Sequence, residues 1–357
     1  MTVIYRPEEL TQFTRAIALL RAQEAVAVPS ETVYGLAALA LDELALSRIF
    51  KLKNRPTFDP LIVHVLDLNS AKHLIRNIHP LQERLCKTFW PGPLTILFQK
   101  SKLVPDLCTA GTEWVALRSP AHPIFRNVLK EIQAPLAAPS ANRFGKISPT
   151  SAEDVVKELG PFGLAAVLDG GPSHYGVEST VIKILEDQQS AITSIEILRP
   201  GSLAIEELSK CVGPDITFKI RPSGSGIEQE NLGLESPGLL KSHYAPRAPL
   251  LSFHQLSENE QQFVRENFNL YSYLEIFPDL QMRRSFLNQV KAERRIILSE
   301  NSSDLEAASK LFSGLRRLDE QESRAIIVGS LPVQKSGLYP AIFDRLQRAI
   351  SSISLPQ

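Results

Sequence analysis

Apolar residues in the first 210 positions of the chain follow two spacings. Helical spacing behind Pro7, which suits a first helical turn, joins Leu10, Phe13, Ile17 and Leu20. The same spacing predicts further helices over residues 42–53, 80–88, 124–132 and 151–159. Short apolar runs predict buried strands over residues 26–28, 61–65, 94–98, 114–117, 165–168, 180–184 and 195–198. Strands interspersed with helices predict the α/β fold class.

The pattern changes near residue 210. Residues 221–249 are rich in Pro, Gly and Ser and show little periodicity, which predicts a linker that its prolines stiffen into a strap. Beyond it, strands at 295–298 and 325–328 and helices at 305–315 and 339–350 predict a smaller Rossmann-like α/β domain with a parallel sheet. The predicted organisation is an N-terminal domain, a linker and a C-terminal domain, over residues 1–210, 211–249 and 250–357.

Composition narrows the class of protein. Lys plus Arg and Asp plus Glu both count 39, which argues against a protein that coats nucleic acid through a broad basic field. Three cysteines without CxxC or Cys/His spacing argue against a disulfide framework and a structural zinc site. The N-terminus does not resemble a signal peptide, and no apolar run approaches the ~20 residues that span a bilayer. We therefore expect a soluble, cytoplasmic protein.

Polar clusters follow several predicted strands, at the place where open α/β sheets bind ligands. PSETVYG (29–35) follows the first strand, and an ordinary strand-to-helix turn with an N-cap is the alternative to a ligand site. KLKNRP (51–56) offers a phosphate grip, against solvated cations at a helix end. AAPSAN (137–142) ends an apolar run in a polar loop that could be a simple turn. Thr150, with Glu153, predicts a capping box or an anion site at the next helix.

Four single residues lie at comparable positions. His64 lies within a predicted strand, where a satisfied core histidine is the alternative to a ligand contact. Arg118 ends a strand, where a substrate carboxylate competes with a surface ion pair as its partner. Ser179 precedes a strand and Arg199 follows one. The sequence contains no GxxxxGK[ST], HExxH, GxSxG or kinase signature, which excludes those enzyme classes.

Taken in order, these segments resemble the YrdC-like family of threonylcarbamoyl-AMP synthases. The matching segments are PSETVYGLA (29–37), KLKNRP (51–56), PLIVHV (60–65), FWPGPLT (89–95), LRSPAHP (117–123), APSAN (138–142), SPT (148–150), STVI (179–182) and LRPG (198–201). The paired family signature K-x-R and S-x-N is present as Lys53/Arg55 and Ser140/Asn142. SPGLLKSHYAP (236–246) and GLYPAIFDRLQRA (337–349) resemble the linker and closing helix of the two-domain members.

The resemblance implies a twisted open mixed sheet with helices around a concave cavity, followed by the smaller Rossmann-like domain. It implies that ATP, L-threonine and bicarbonate give threonylcarbamoyl-AMP and pyrophosphate, with Mg²⁺ carried on the ATP phosphates. A separate transferase would then modify an adenosine in tRNA, without stable binding of tRNA to this chain. The implied threonine ligands are Thr32, His64, Arg118 and Ser179. The implied ATP ligands are Lys53, Arg55, Asp59, Ser140, Asn142, Ser148 and Arg199.

Lys53 and Arg55 are the catalytic residues that the resemblance implies, because they would stabilise charge on the phosphates. No protein metal site is implied. Three departures from the family stand out. Asp59 replaces the usual Asn, and would repel phosphate unless Mg²⁺ intervenes or the carboxyl is protonated; Trp114 replaces a small Thr; and residues 240–242 differ in the linker.

A carbamate and an acyl-adenylate are labile in water, so we expect the strap at 221–246 to close over the site as a lid. Two other functions are consistent with parts of the sequence. One is an RNA-binding module, which neutral charge and the lack of an aromatic stacking platform disfavour. The other is a carbamoyl-adenylate former that uses carbamoyl phosphate, whose zinc-finger and acylphosphatase-like segments are missing from this sequence.

Overall fold

The computed structural model describes residues 2–186, 192–221, 234–236, 243–278, 286–331 and 336–350. The chain divides into two units, of which the first comprises residues 1–144 and 148–241 and the second residues 145–147 and 242–357. The predicted strap lies largely outside the described residues, so its lid role stays a prediction. In the described part of the chain, no helix has both the length and the apolar character needed to cross a bilayer.

The described strands are short, from two to eight residues long. Those of the first unit are β1 (Val3–Tyr5), β2 (Val26–Val28), β3 (Gly35–Leu39), β4 (Ile62–His64), β5 (Leu94–Gln99), β6 (Trp114–Arg118), β7 (Leu136–Ala137), β8 (Ala166–Leu168), β9 (Thr180–Glu186), β10 (Ile192–Arg199) and β11 (Thr217–Ile220). Those of the second unit are β12 (Leu250–Ser252), β13 (Ser272–Glu275), β14 (Arg295–Ile297) and β15 (Ile326–Val328).

The α-helices begin and end at recognisable capping residues in several cases. Those of the first unit are α1 (Leu10–Arg21), α2 (Glu43–Lys53), α3 (Leu68–Ala71), α4 (Pro80–Phe89), α5 (Asp106–Thr109), α6 (Pro123–Ile132), α7 (Ala152–Leu159) and α8 (Ile205–Val212). Those in the described residues of the second unit are α9 (Glu258–Glu266), α10 (Asp304–Asp319) and α11 (Tyr339–Ala349). Asp42 caps α2 by accepting from the N–H groups of Leu44 and Ala45.

The strands of the first unit form one mixed sheet. Among the described residues, its eleven strands lie in the order β1-β8-β2-β3-β7-β4-β6-β5-β9-β10-β11. The sheet contains both parallel pairs, such as β4 with β6, and antiparallel pairs, such as β5 with β6. This arrangement confirms the predicted α/β class with a mixed sheet.

Side-chain alternation along the strands places an apolar core on each face of this sheet. On one face, Val26 and Val28 pack with Ile17 and Leu20 of α1 and with residues of α6. On the other face, Ala27 belongs to a larger core that includes residues of α2, α4, α7 and α8. Helices cover both faces of the sheet, so polar side chains that lie near the strand ends are shielded from solvent.

The second unit is built on a smaller sheet. Its four described strands lie in the order β12-β15-β13-β14, and each neighbouring pair is parallel. Helix α10 buries Leu311, Phe312 and Leu315. The small parallel sheet with helices confirms the layout predicted for the C-terminal domain.

One alternative interpretation and one local prediction were wrong. The segment 29–34 leads from β2 into β3, which pairs antiparallel with it, so the turn joins two strands and caps no helix. Helix α7 is capped by Ser151, whose hydroxyl accepts from the N–H of Asp154, and the predicted capping box of Thr150 with Glu153 does not form. Thr150 instead donates its own N–H to the carboxylate of Asp154.

Candidate active site

The candidate site lies where five neighbouring strands of the first unit meet. Strands β4, β6 and β10 end there, and strands β5 and β9 begin there. In the sheet order β4-β6-β5-β9-β10, His64 pairs with Arg118, Leu94 with Thr180, and Val181 with Arg199. Because β4 and β6 run parallel, their last residues meet at the same edge. The sheet register therefore brings His64, Arg118 and the start of β9 to one edge from positions that are far apart in the chain.

Arg118 is held by three acceptors from two separate parts of the chain, residues 31–32 and residue 92. Its Nε donates to the Gly92 carbonyl at 3.2 Å, its Nη1 to Thr32 Oγ1 at 2.9 Å, and its Nη2 to Glu31 Oε1 at 2.6 Å. The guanidinium is 4% exposed, so the surface ion pair considered from the sequence is instead a buried one. Burial opposes the charge on Glu31, but the attraction and hydrogen bond of Arg118, together with hydrogen bonds from the backbone, lower the pKa of that carboxyl.

His64 lies beside Arg118 on the neighbouring strand. Burial, reinforced by the positive charge of Arg118, holds the pKa of His64 well below its usual value, so the imidazole is neutral. Its ring stacks on Phe125 at a centroid distance of 4.9 Å. Its Nδ1 is buried and has no hydrogen-bond partner among the described residues. An unsatisfied buried ring nitrogen is a place for a ligand to bind. Glu31, Thr32, Arg118 and His64 are called the Arg118 cluster below.

Ser179 and Arg199 lie together at the start of β9 and the end of β10. The Arg199 Nη2 donates to both the carbonyl and the hydroxyl of Ser179, at 3.0 and 3.1 Å. The Ser179 hydroxyl also lies 2.7 Å from Thr95 Oγ1 on β5. This network fixes the orientation of both predicted ligands, and it joins them to the strand next to Arg118.

Arg55 and Asp59 form a buried pair that closes a short loop. Arg55 Nη2 lies 2.9 Å from Asp59 Oδ2, and the guanidinium also donates to the carbonyls of Asp59 and Pro60. Burial raises the pKa of Asp59, against the opposing charges of Arg55, Lys53 and Arg199. Its second oxygen, Oδ1, is buried without a partner among the described residues. Lys53, Arg55, Asp59 and Arg199 are called the Asp59 cluster below.

Lys53 ends α2, but it is not a solvated cation at a helix end. Its Nζ is buried and donates to the carbonyls of Ser140 and Asn142, at 2.6 Å each. Burial, reinforced by Arg55, holds the pKa of Lys53 well below its usual value. The paired K-x-R and S-x-N signature is thus one contact, in which the lysine of the first segment holds the backbone of the second.

The remaining predicted residues lie close to these groups. Asn142 is buried, and its Nδ2 donates to the carbonyl of Arg143 at 2.7 Å. Ser140 is half-buried and bridges to Gly35 at the start of β3. Ser148 is buried and donates its hydroxyl to Glu178 Oε1 at 2.6 Å, next to Ser179 in the chain.

The chain matches known proteins over the segments that contain these residues. The Sua5/YciO/YrdC family model, described as telomere recombination, matches residues 18–201, and the model of the threonylcarbamoyl-AMP synthase C-terminal domain matches residues 203–351. The threonylcarbamoyl-AMP synthase of Pyrococcus abyssi is 34% identical over 353 residues, which cover 98% of this chain and 98% of that protein. The chain belongs to the threonylcarbamoyl-AMP synthase family.

One further relative and one solved structure support this assignment. A threonylcarbamoyl-AMP synthase of Bacillus subtilis is 36% identical over 340 residues, covering 95% of this chain and 92% of that protein. The solved structure of Pyrococcus abyssi Sua5 in complex with L-threonine superposes with a TM-score of 0.82 at 34% identity, and it covers 98% of this chain and 97% of that one. The resemblance stated from the sequence segments is therefore confirmed.

Sequence reasoning missed two acidic partners in this member of the threonylcarbamoyl-AMP synthase family. Glu31 pairs with Arg118, and Glu178 accepts from Ser148. Glu31 stands inside PSETVYG, directly before Thr32, so the signal was an acidic residue within a segment that had already been singled out. Glu178 precedes Ser179 in the same way. Both are buried, which an isolated carboxylate avoids unless a donor faces it.

Proposed function

We propose that this chain is a nucleotidyltransferase that converts ATP, L-threonine and bicarbonate to threonylcarbamoyl-AMP and pyrophosphate, for threonylcarbamoyladenosine formation in tRNA. The observation that carries the proposal is the buried fork of Arg118, flanked by Thr32 and by the unpartnered Nδ1 of His64. A fixed guanidinium with hydrogen-bonding neighbours suits an amino-acid carboxylate. Family membership and the threonine complex of Pyrococcus abyssi Sua5 support the same substrate.

Arg118 would pair with the threonine carboxylate, while Thr32, His64 and Ser179 supply nearby hydrogen-bonding groups. A site that satisfies the substrate hydroxyl rejects analogues that lack it, since its own buried groups are then left unpaired. Valine matches threonine in shape but has no hydroxyl. Selection of threonine over valine is the expected consequence.

The Asp59 cluster would receive the ATP phosphates, together with Ser140, Asn142 and Ser148. Arg55 offers a planar fork for phosphate oxygens, and Lys53 holds the 140–142 loop by its backbone. Among the described residues, no three His, Cys, Asp or Glu side chains are grouped to hold a metal ion. Mg²⁺ is proposed to arrive with the ATP phosphates. The buried Oδ1 of Asp59, which lacks a partner in the described chain, fits a single contact to it.

The proposed reaction depends more on the positioning of its reactants than on a nucleophilic residue of the protein. The threonine amine reacts with bicarbonate to give a carbamate and water. A carbamate oxygen then attacks the α-phosphorus of ATP, the bond to the β-phosphate oxygen breaks, and pyrophosphate leaves. Cationic side chains that face the phosphates stabilise the charge that develops there. Holding two reactants in line can contribute on the order of 7–11 kcal/mol to the lowering of the barrier.

Pyrophosphate release with each of the twenty amino acids, in the presence of ATP and labelled bicarbonate, tests this function. We expect release with L-threonine and incorporation of label into the adenylate. Release that needs no bicarbonate when carbamoyl phosphate is supplied would favour the carbamoyl-phosphate-using enzyme, and binding of RNA without ATP turnover would favour the RNA-binding module. The predicted cytoplasmic localisation stays a prediction.

Replacement of Arg55 tests the assignment of the phosphate site. Arg55→Ala should lower adenylate formation by about 100-fold or more, the scale found when a group that stabilises developing charge is removed. Arg48→Ala is the matched control, because Arg48 forms an exposed pair with Glu24. Circular dichroism checks the fold of both variants. Pyrophosphate release by Arg55→Ala at the rate of the unmodified enzyme would refute the role.

A further inference from the structure

The segment PSET (29–32) supplies a hydrogen-bond acceptor to each terminal nitrogen of Arg118. Thr32 Oγ1 accepts from Nη1 and Glu31 Oε1 accepts from Nη2, while Gly92 accepts from Nε on the other side. A guanidinium has five N–H donors, and these contacts use three of them. Counted over the described residues, one N–H is left on each terminal nitrogen. Two such donors match the two oxygens of a carboxylate.

Glu31, like its partner Arg118, is fixed by several hydrogen bonds. Its Oε2 accepts from the N–H of His122 at 3.3 Å, so each carboxylate oxygen has a donor. Its own carbonyl accepts from the N–H of Tyr175 at 2.9 Å. The side chain is 10% exposed. A carboxylate with both oxygens engaged and little access to solvent does not itself reach for a substrate ammonium.

The loop that carries Glu31 is also fixed locally. The Ser30 hydroxyl accepts from the N–H groups of Thr32 and Val33, at 3.2 Å each, and donates to the Val33 carbonyl. This turn sets the direction of two consecutive side chains that meet Arg118 from one side. The geometry is thus a carboxylate that restrains the plane of an arginine and leaves that arginine two donors for a ligand.

We propose that Glu31 is a positioning residue, which orients Arg118 for the carboxylate of the amino-acid substrate and so selects for an α-carboxylate. The inference rests on the proposed function, because it takes Arg118 to be the carboxylate ligand. Without Glu31, the guanidinium loses its restraint at Nη2 and can rotate about its last torsions. A carboxylate that needs two aligned donors then loses more affinity than a ligand that needs one.

The test compares two ligands that differ at one group. L-Threonine and L-threoninamide share the amine and hydroxyl, but the amide lacks the charged carboxylate. Calorimetry of Glu31→Gln should show a dissociation constant for threonine raised about 10- to 100-fold, by analogy with the loss found when a group that orients a metal-ligating side chain is removed. The constants for threoninamide and for ATP should change by no more than about twofold, since neither needs the aligned fork.

Steady-state kinetics give a second readout. In Glu31→Gln, the KM for threonine should rise with its dissociation constant, while kcat at saturating threonine stays within about threefold, because the reacting amine and phosphate are untouched. Glu31→Ala should show the same split, more strongly. Glu83→Gln is the matched control, since Glu83 pairs with Lys87 on an exposed face of α4.

Three results decide the matter. Equal loss for threonine and threoninamide would overturn the proposal, because it would mean general damage to the loop. Unchanged threonine affinity in Glu31→Gln would overturn it as well, and this variant keeps the side-chain size, so it decides the question even if Glu31→Ala does not fold. Failure of the unmodified enzyme to bind threonine would instead refute the proposed function, before Glu31 is considered.

Discussion

Gly201 lies directly against the backbone that presents Ser179. A Cβ at this position would lie 2.3 Å from the Ser179 carbonyl carbon and 2.4 Å from its oxygen. Contacts this short force a backbone shift, and the carbonyl concerned also accepts from Arg199. A methyl group at residue 201 therefore disturbs two predicted ligands at once, although it touches no substrate.

Gly201→Ala should reduce adenylate synthesis by at least about tenfold and the free energy of unfolding by about 1–3 kcal/mol, the usual effect of overpacking. Pyrophosphate release and urea unfolding measure the two effects. Gly160→Ala is the control, because the nearest atom to its Cβ, at 3.2 Å, is the hydroxyl at the end of the Thr2 side chain. Equal behaviour of the two variants would show that the close approach at residue 201 is relieved without consequence.

The buried neutral imidazole of His64 predicts a dependence of stability on pH. Its pKa is lowered in the folded state, so the unfolded chain binds the proton more readily. Stability is then fully present above the ordinary histidine pKa of about 6.5 and is lost as the pH falls below it, by up to about 1.4 kcal/mol per pH unit. Urea unfolding at pH 7.5 and 5.5 measures the difference.

Between pH 7.5 and pH 5.5, the free energy of unfolding of His64→Gln should fall by about 1 kcal/mol less than that of the unmodified protein, because the titrating group is removed. His73→Gln, at an exposed histidine in the same unit, should follow the unmodified protein. If His64→Gln retains the full pH slope, the slope belongs to other groups and the interpretation of His64 is wrong.

Individual residues show which features of the site could be predicted from the sequence and which could not. Thr32 and Arg118 were predicted as ligands, and the structure places them in contact. Lys53 was predicted to grip phosphate, but the sequence could not show that its ammonium lies on the carbonyls of Ser140 and Asn142. Burial of a charge depends on partners that tertiary packing supplies, and spacing along the chain does not reveal them.

Among the elements, helix α7 gives a test of a cap that sequence alone misplaced. Thr150 and Ser151 are both capping residue types, and the capping-box pattern favoured Thr150. The structure assigns the cap to Ser151, whose hydroxyl accepts from the N–H of Asp154 at 3.2 Å. Ser151→Ala should therefore lower the free energy of unfolding by about 1 kcal/mol, and Thr150→Ala by less. Chemical denaturation of both variants checks the order, and a larger loss in Thr150→Ala would contradict it.

The long helices and most apolar strands were predictable, but the strands that complete the sheet were not. β3 (GLAAL) and β7 (LA) are short and rich in alanine, a composition with little strand propensity. They are strands because β2 and β4 lie on either side and need partners for their backbone groups. Such elements are set by the sheet around them, which no local window contains.

At the scale of the whole molecule, the family-model boundary and the physical unit differ. The two family models meet between residues 201 and 203. The first unit nevertheless continues beyond that point. Leu208 and Val212 of α8 are buried in its larger core, and Phe218 of β11 packs against the same core. β11 also pairs with β10 through Ile195 and Ile197. A sequence boundary placed before α8 thus separates segments that share one core.

Truncated chains distinguish the two boundaries. A chain ending after Ile220 keeps α8 and β11 and should unfold in one cooperative transition. A chain ending after Leu203 loses the cover of Leu208 and Val212 and the edge partner of β10, so it exposes apolar surface worth about 1.5–3 kcal/mol for each large side chain uncovered. Urea unfolding should show a lower midpoint and a shallower slope for the shorter chain, because less surface is buried to begin with. Equal midpoints and slopes would mean that α8 and β11 add nothing to the first unit, and that its core closes at residue 203.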